Sequence, residues 1–235
     1  LDPLHYKSFF ISGFFALLST VPPFILLKNK YKIPEHRHVK ILYFIKKEPI
    51  VFMAKFTQEF IVSSIFTLTV VYLIQNGHTL KQAGLALSIF AASAIVDLII
   101  GYLADRYNKY KLVSIGVTGT LFCITLLFLQ AHNLRVILPI FFGLGICAGL
   151  MHISLSSLLN NQFPKTSLIS ANAALLLVGS SGGITGALLI GITMQYFGKS
   201  GFPIMIMGIC LIYLLLNPII RKVHTPPKTD IRFNR

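Results

Sequence analysis

The chain has 235 residues, of which 54% are hydrophobic and only 12% are charged, and its mean hydropathy is +0.74. Soluble domains carry about 25% charged residues, so this composition excludes an ordinary water-soluble core and indicates a protein that lies largely in lipid. A net charge of +14 is a feature of many nucleic-acid-binding proteins, but the distribution of the basic residues argues against that class.

Seven apolar segments follow one another along the chain, and each is long enough to cross a bilayer, which takes roughly 20 mostly apolar residues. Turn residues separate them, for example Asn76-Gly77-His78 after the second segment and Gly198-Lys199-Ser200-Gly201 after the sixth. The sequence therefore predicts an all-α membrane protein with seven transmembrane helices. The predicted helices cover residues 9–27, 51–75, 83–103, 112–131, 136–158, 168–196 and 201–220.

Residues 28–50 form the longest polar connection. It carries seven Lys or Arg residues together with the apolar residues Ile41, Leu42, Phe44 and Ile45. This mixture is compatible with an amphipathic helix on the inner leaflet of the membrane. It is equally compatible with a solvated linker between two helical bundles.

The basic residues fall mainly on one side of the predicted membrane. If the 28–50 loop is cytoplasmic and each helix reverses the side, sixteen Lys and Arg residues lie inside and four lie outside. This is the positive-inside bias of membrane proteins. It predicts a multi-pass protein of the inner membrane, with the amino terminus outside and the carboxyl terminus in the cytoplasm. Anionic lipid headgroups are then the simplest partner for the basic surface, and no nucleic-acid partner is expected.

Small residues recur every four positions in the sixth predicted helix. Gly179, Gly183 and Gly191 belong to one row, which Gly186 flanks. In lipid, van der Waals contact replaces the hydrophobic effect between helices, and small residues let two backbones approach closely. We therefore expect this row to pack against another helix. The same glycines would also permit bending during a conformational cycle.

The turn between the third and fourth predicted helices holds the most specific motif of the chain, G-x-L-A-D-R-x-x-x-x-K. Its defining residues are Gly101, Asp105, Arg106, Lys109 and Lys111. This loop resembles the signature loop of the major facilitator superfamily, a large group of secondary transporters.

Two further stretches, residues 172–177 and 212–226, are similar to the carboxyl half of small bacterial permeases of the YcaD type. The signature loop departs from its family at Asn108, where a Gly usually stands. Asn tolerates a left-handed backbone better than most residues, so we expect the turn to survive this change.

The resemblance implies a fold of two six-helix halves joined by a long basic loop. Residues 1–27 would then hold the last helix of a missing amino-terminal half, preceded by five further helices. Residues 28–50 would be the cytoplasmic interdomain loop, 51–220 the carboxyl-terminal six-helix bundle, and 221–235 a basic cytoplasmic tail.

The resemblance also implies a function, which is transport of a small solute by alternating access. Protons are the expected coupling ion and efflux is the expected direction. By the same resemblance, Asp105 and Arg106 form a charge latch at the cytoplasmic gate, and the partner of this latch is a helix of the amino-terminal half.

Ionisable residues inside membrane helices are costly, so each one is a functional candidate. Lys55 and Glu59 lie four residues apart and share one face of the second predicted helix. A carboxylate there would bind a proton or a cationic substrate, with its protonation tuned by burial and by Lys55. The alternative is an ion pair at the membrane interface, with Lys55 extending to the headgroups.

Asp97 and His152 are the other two candidates for coupling or substrate binding. Asp97 stands among apolar residues one turn before Gly101, and its possible roles are proton coupling, a pair with a neighbouring helix, or support of the Asp105–Arg106 loop. His152 lies deep in the fifth predicted helix and is either a proton relay or a core histidine with its hydrogen bonds satisfied.

The sequence holds no motif that indicates an enzyme, such as a zinc-protease helix, a phosphate-binding loop or a serine-hydrolase elbow. No cofactor or metal is expected, and Cys123, Cys147 and Cys210 lie in predicted helices as buried thiols without metal-ligand spacing. Two alternatives to a transporter remain from the sequence. They are a truncated membrane remnant without transport and a half-transporter that needs a partner chain.

Overall fold

The computed structural model describes residues 41–223, and every regular element in this range is a helix. The predicted helix 9–27, the first part of the 28–50 loop and residues 224–235 of the tail lie outside the described residues. The α-helices are α1 (Ile41–Lys47), α2 (Pro49–Gln75), α3 (Leu80–Ala92), α4 (Asp97–Arg106), α5 (Lys109–Leu129), α6 (Leu134–Gln162), α7 (Lys165–Phe197) and α8 (Gly201–Val223). Short 3-10 turns at Ser93–Val96 and Gly198–Ser200 join α3 to α4 and α7 to α8.

Five stretches of the described chain are long and apolar enough to cross a membrane. The first four are Pro49–Gln75, Leu80–Arg106, Lys109–Leu129 and Leu134–Gln162, and the fifth is the 55-residue stretch Thr166–Ile220. This fifth stretch contains both α7 and α8. Because Gly198 has a φ of 60° between them, the backbone adopts a left-handed conformation there, which glycine reaches without steric cost.

α7 and α2 run parallel to each other. Lys55, near the start of α2, lies against Gly179, and Ser64, more than two turns further along α2, lies against Gly186. The two helices therefore remain in contact over several turns.

α8 runs in the opposite direction to α2. The ring of Tyr72, near the end of α2, stacks on the ring of Phe202, at the start of α8, with 4.8 Å between centroids. Near the other end of α8, the Nδ2 of Asn217 donates to the Oγ of Ser114 at 2.9 Å, close to the start of α5. Consecutive helices α7 and α8 therefore cross the bundle in opposite directions.

The glycines of α7 pack against α2 at very short range. A Cβ at Gly182 or Gly186 would stand 2.5 Å from the carbonyl oxygens of Phe56 or Phe60, and one at Gly179 or at Gly183 would meet α2 side chains at 3.0–3.2 Å. A real Cβ does not fit at the first two positions, so glycine is what lets these backbones touch. Gly191 lies further along the same row as Gly179 and Gly183, but a Cβ there would meet nothing within 4 Å.

Polar side chains start several helices. Thr79 and Gln82 form a reciprocal capping box at the start of α3, and the side chain of Asn108 accepts from the backbone N–H groups of Tyr110 and Lys111. Asn108 has φ −65° and ψ 111°. The turn is present, and Asn108 forms it as a helix cap with an extended backbone and without the left-handed conformation that Asn tolerates.

The start of α2 is tied to two other helix ends. The hydroxyl of Tyr110, on α5, donates to the Oε2 of Glu48 at 3.2 Å and accepts from the Nε2 of Gln162 on α6. Just before this point, Phe44 of α1 is fully buried, with its ring 5.2 Å from the ring of Phe163. The last part of the 28–50 loop is therefore a short helix that packs on the bundle.

Candidate functional site

Lys55 lies at the centre of a cluster of polar side chains on α2. Its Nζ donates to the Oε1 of Glu59 at 2.6 Å and to the Oε1 of Gln58 at 2.8 Å. The Lys55 side chain is only 5% exposed, whereas that of Glu59 is 30% exposed. The helical spacings of three and four residues bring these groups together. The ammonium of Lys55 is thus hydrogen-bonded to two side chains of its own helix.

A cavity of about 280 Å³ lies between α2 and α7, beside this ion pair. Its polar lining is the charged pair together with two serine side chains, and the rest of its wall is aliphatic or glycine backbone. The lining residues are Lys55, Glu59, Ser63, Leu176, Gly179, Ser180, Gly183 and Ile184.

A second cavity, of about 220 Å³, lies on an adjacent side of α2, between it and α3, α4 and α6. Asp97 and His152 supply its titratable groups, and Gln58 adds an amide. Phe66 and Phe90 form an edge-to-face pair in its wall, with 5.3 Å between centroids.

Asp97 lies at the point where α4 meets α6. One of its carboxylate oxygens contacts the backbone of Gly149, at the place where a side chain would stand. One turn earlier, the Oγ of Ser93 occupies the equivalent place on Gly145 and donates to the carbonyl of Phe90 at 2.6 Å. Within residues 41–223, no Lys, Arg or His forms an ion pair with Asp97.

Gln58 connects the two cavities, because it accepts from Lys55 beside the first cavity and lines the second. His152 and Asp97 line the second cavity together with Gln58. The fold thus brings the four sequence-predicted candidates together on adjacent sides of α2. Among the described residues, no group of three or more His, Cys, Asp or Glu is placed to hold a metal ion.

The signature loop lies apart from both cavities. Arg106 places its guanidinium over the ring of Tyr102, 4.3 Å from the centroid, and Asp105 is exposed at the end of α4. Lys109 and Lys111 stand in the first turn of α5, and a Cβ at Gly101 would meet nothing within 4 Å. Arg106 therefore contacts an aromatic ring in this structure, which is a cation–π arrangement.

The four-residue spacing of Gly145 and Gly149 predicts close helix packing at these positions, but sequence reasoning did not identify two other residues that shape these sites. Ser180 belongs to a helix far along the chain from its partners, so no local pattern marks it. Tyr102 stands four residues before Arg106, and this helical spacing was a usable signal for their contact.

Comparison with known proteins agrees with the helical architecture. Residues 50–235 match the family model of the Major Facilitator Superfamily. A Yersinia enterocolitica protein named as an uncharacterized MFS-type transporter is 27% identical over 164 residues, which are 69% of this chain and 41% of that protein. The chain therefore spans less than half the length of that relative. The family match covers more than half of the chain, so this multi-pass membrane protein belongs to the major facilitator superfamily.

Proposed function

We propose that this chain is part of a secondary transporter that moves a small solute across the inner membrane by alternating access, coupled to protons. The observation that carries the proposal is the position of four ionisable side chains. Lys55, Glu59, Asp97 and His152 line two cavities inside an apolar helical bundle. Charged groups inside a membrane are costly and are retained where a solute or proton passes.

The division of the chain that we propose follows the two-half plan of the family. Residues 51–220 form the carboxyl-terminal bundle, 28–50 the interdomain loop, 1–27 the last helix of the amino-terminal half and 221–235 the cytoplasmic tail. A relative more than twice as long as the matched segment supports this division. The two halves rock about a site near the membrane midplane, and the cavities on α2 face that site.

The signature loop serves as the gate in this proposal. Gly101, Asp105, Arg106, Lys109 and Lys111 lie at the cytoplasmic ends of α4 and α5, if the basic side of the protein faces the cytoplasm. Asp105 is exposed and therefore accessible to a cationic or hydrogen-bonding group of the other half. Breaking and making this contact favours one orientation over the other.

Asp97 and Glu59 are the proposed proton carriers. Asp97 has no ion-pair partner among the described residues, and Glu59 lies partly exposed beside a cavity. A carboxylate in such surroundings changes its protonation with the access of water and with neighbouring charge. Alternating access provides that change in each cycle.

The length of the native protein is the first test of this division. An antibody against residues 224–235 would detect the protein in membranes of its host. We expect a band at about twice the 26.1 kDa of this chain, because a complete transporter has two six-helix halves. A band near 26 kDa would favour the membrane remnant or the half-transporter with a partner chain.

Proton-coupled flux is the second test. Everted vesicles that contain the native protein would be energised, and a pH-sensitive dye would report proton movement on addition of organic anions, cations or neutral solutes. We expect at least one solute to move protons, and Glu59→Gln or Asp97→Asn to abolish the response. Lys199→Gln, at the turn between α7 and α8, is the control that retains it. No response to any solute would contradict the proposal.

A further inference from the structure

Lys55 is a buried cation with two different partners. Gln58 is 4% exposed and neutral, whereas Glu59 is charged, partly exposed and borders a cavity. The stems of Lys55 and Glu59 both pack on Gly179, at 3.1 Å and 3.0 Å from the place of its absent Cβ. Gln58 and Gly179 thus hold the ammonium in place independently of the charge on Glu59.

Protonation of Glu59 would remove the only counter-charge in contact with Lys55 among the described residues. A buried ion without a partner is unfavourable. An anion that entered the cavity would restore the ion pair, because the cavity borders both side chains. A cation would be repelled by the same ammonium.

The rest of the cavity fits the carboxylate of a small solute. Ser63 and Ser180 offer hydroxyl donors, which suit carboxylate oxygens. Leu176 and Ile184 offer aliphatic surface for a short apolar tail. Sites for drug-sized ligands enclose about 300–1,000 Å³, so a cavity of about 280 Å³ suits a solute at or below the lower end of that range.

We propose that Lys55 binds the carboxylate of a small monocarboxylate solute, and that the anion replaces Glu59 when Glu59 takes up a proton. This inference rests on the proposed transport function and names its substrate class. In the binding step, a proton from water is added to the Glu59 carboxylate and the solute anion pairs with the Lys55 ammonium. In the release step, the proton leaves Glu59, whose carboxylate returns to Lys55 and displaces the anion.

The site has the same net charge before and after these steps, since one proton and one anion enter together. Binding at Lys55 and Glu59 is therefore electroneutral, with one proton taken up at Glu59 for each anion, and it amounts to symport. An inward proton gradient drives the anion inward, which is opposite to the efflux that the family resemblance implies.

Two other titratable groups lie near the pair. His152 on α6 and Asp97 on α4 line the second cavity, which Gln58 also lines. The α7 residues that line the first cavity are uncharged. His152 is the group to separate from Glu59 by mutation, because free histidine titrates near neutral pH.

Thermal unfolding of the purified full chain in detergent tests the binding step. Cys123 and Cys147 are half-buried and Cys210 is buried, so a thiol-reactive fluorescent dye reports their exposure on unfolding. The probes are propionate and benzoate, with propylammonium and benzylammonium as cations of similar size and shape. A ligand that binds the folded state raises the unfolding temperature.

We expect the two carboxylates to raise the unfolding temperature and the two ammonium ions to have no effect. From pH 7.5 to pH 5.5, the apparent dissociation constant of benzoate should fall by up to about tenfold per pH unit, because one proton binds with each anion. Stabilisation by the ammonium ions alone would overturn the proposal.

Four variants test which side chain binds the anion and which side chain accepts the proton. Lys55→Gln should lose the benzoate effect and Lys55→Arg should keep it, which also covers the case in which the neutral variant does not fold. Glu59→Gln should bind benzoate equally at both pH values, and His152→Gln should keep the pH dependence. If the pH dependence survives in Glu59→Gln and disappears in His152→Gln, the proton acceptor is not Glu59 and the proposal fails.

The vesicle assay separates this proposal from the broader one. Proton flux that responds to cations or neutral solutes, and not to carboxylates, would leave the transport function standing and refute the substrate class. Carboxylate-driven flux that is insensitive to membrane potential would support both.

Discussion

Asp97 on α4 lies directly against the backbone of Gly149 on α6, so that its carboxylate oxygen occupies the place of a side chain at position 149. Ser93 and Gly145 repeat this arrangement one turn away. Polar side chains and glycine backbone thus form the contact between these two helices. This contact also places Asp97 in the wall of the second cavity.

Adding a methyl group at position 149 should destabilise the protein. Gly149→Ala forces the Asp97 carboxylate to move. Because a side chain can move aside, we expect a cost at the lower end of the about 1–3 kcal/mol that overpacking takes. Combined with Asp97→Ala, the same change should cost less, since the obstructing group is gone. Thermal and denaturant unfolding of the two single variants and the double variant would measure this double-mutant cycle. Gly84→Ala is the control, because a Cβ at position 84 would meet nothing within 4 Å. Equal costs in both backgrounds would contradict the contact.

Two glycines of α7 should differ in how much their substitution by alanine destabilises the protein. Gly182→Ala places a Cβ 2.5 Å from the carbonyl oxygen of Phe56, and backbone cannot move aside as a side chain can. We expect a loss of about 1–3 kcal/mol. Gly191→Ala, where the Cβ meets nothing within 4 Å, should leave stability unchanged or raise it through better helix propensity. Similar melting temperatures for the two variants would argue against this interface.

The two members of the ion pair should differ in their effect on stability. Glu59→Gln leaves a buried ammonium without its counter-ion, and we expect a cost of about 1–3 kcal/mol, below the roughly 3–5 kcal/mol of a fully buried pair. Lys55→Met leaves a carboxylate that is 30% exposed and borders the cavity, and should cost less than about 1 kcal/mol. Unfolding of both variants at neutral pH would test this order of stability losses. A larger loss in Lys55→Met than in Glu59→Gln would contradict the prediction.

Tyr110 should contribute to stability through its hydroxyl. Tyr110→Phe removes the hydrogen bonds to Glu48 and Gln162 while the ring stays. The loss of these bonds should cost about 1 kcal/mol. Tyr107→Phe is the matched control, because Tyr107 is 64% exposed. An equal, near-zero effect of both changes would show that the hydroxyl of Tyr110 is dispensable.

The orientation in the membrane is open to direct labelling. Lys109→Cys should be protected in intact cells from a membrane-impermeant thiol reagent and labelled in everted vesicles, because positive residues favour the cytoplasmic side. Lys199→Cys, at the opposite end of the bundle, should show the reverse pattern. The wild-type chain is the control for labelling of its three native thiols. Exchange of the two patterns would refute the predicted orientation.

Local patterns anticipated much of the helical layout. Apolar runs bounded by turn residues predicted the helices that the structure shows as α2 and α5–α8, and the four-residue spacing of Lys55 and Glu59 predicted a shared helix face. The same reasoning overlooked the 3-10 turn at Ser93–Val96, since an uninterrupted apolar run gives no sign of a break. It also did not anticipate the role of Asn108. This residue has an extended backbone, and its side chain caps the start of α5.

The sequence by itself determined the membrane environment, the helical class and the family, because these depend on composition, on hydropathy over about 20 residues and on one specific loop. Tertiary structure alone decided that Asp97 lies on Gly149 and that the ionisable residues line cavities on adjacent sides of α2. The reason is physical. These contacts join helices that are distant along the chain, and the packing of small residues sets how closely such helices approach in lipid.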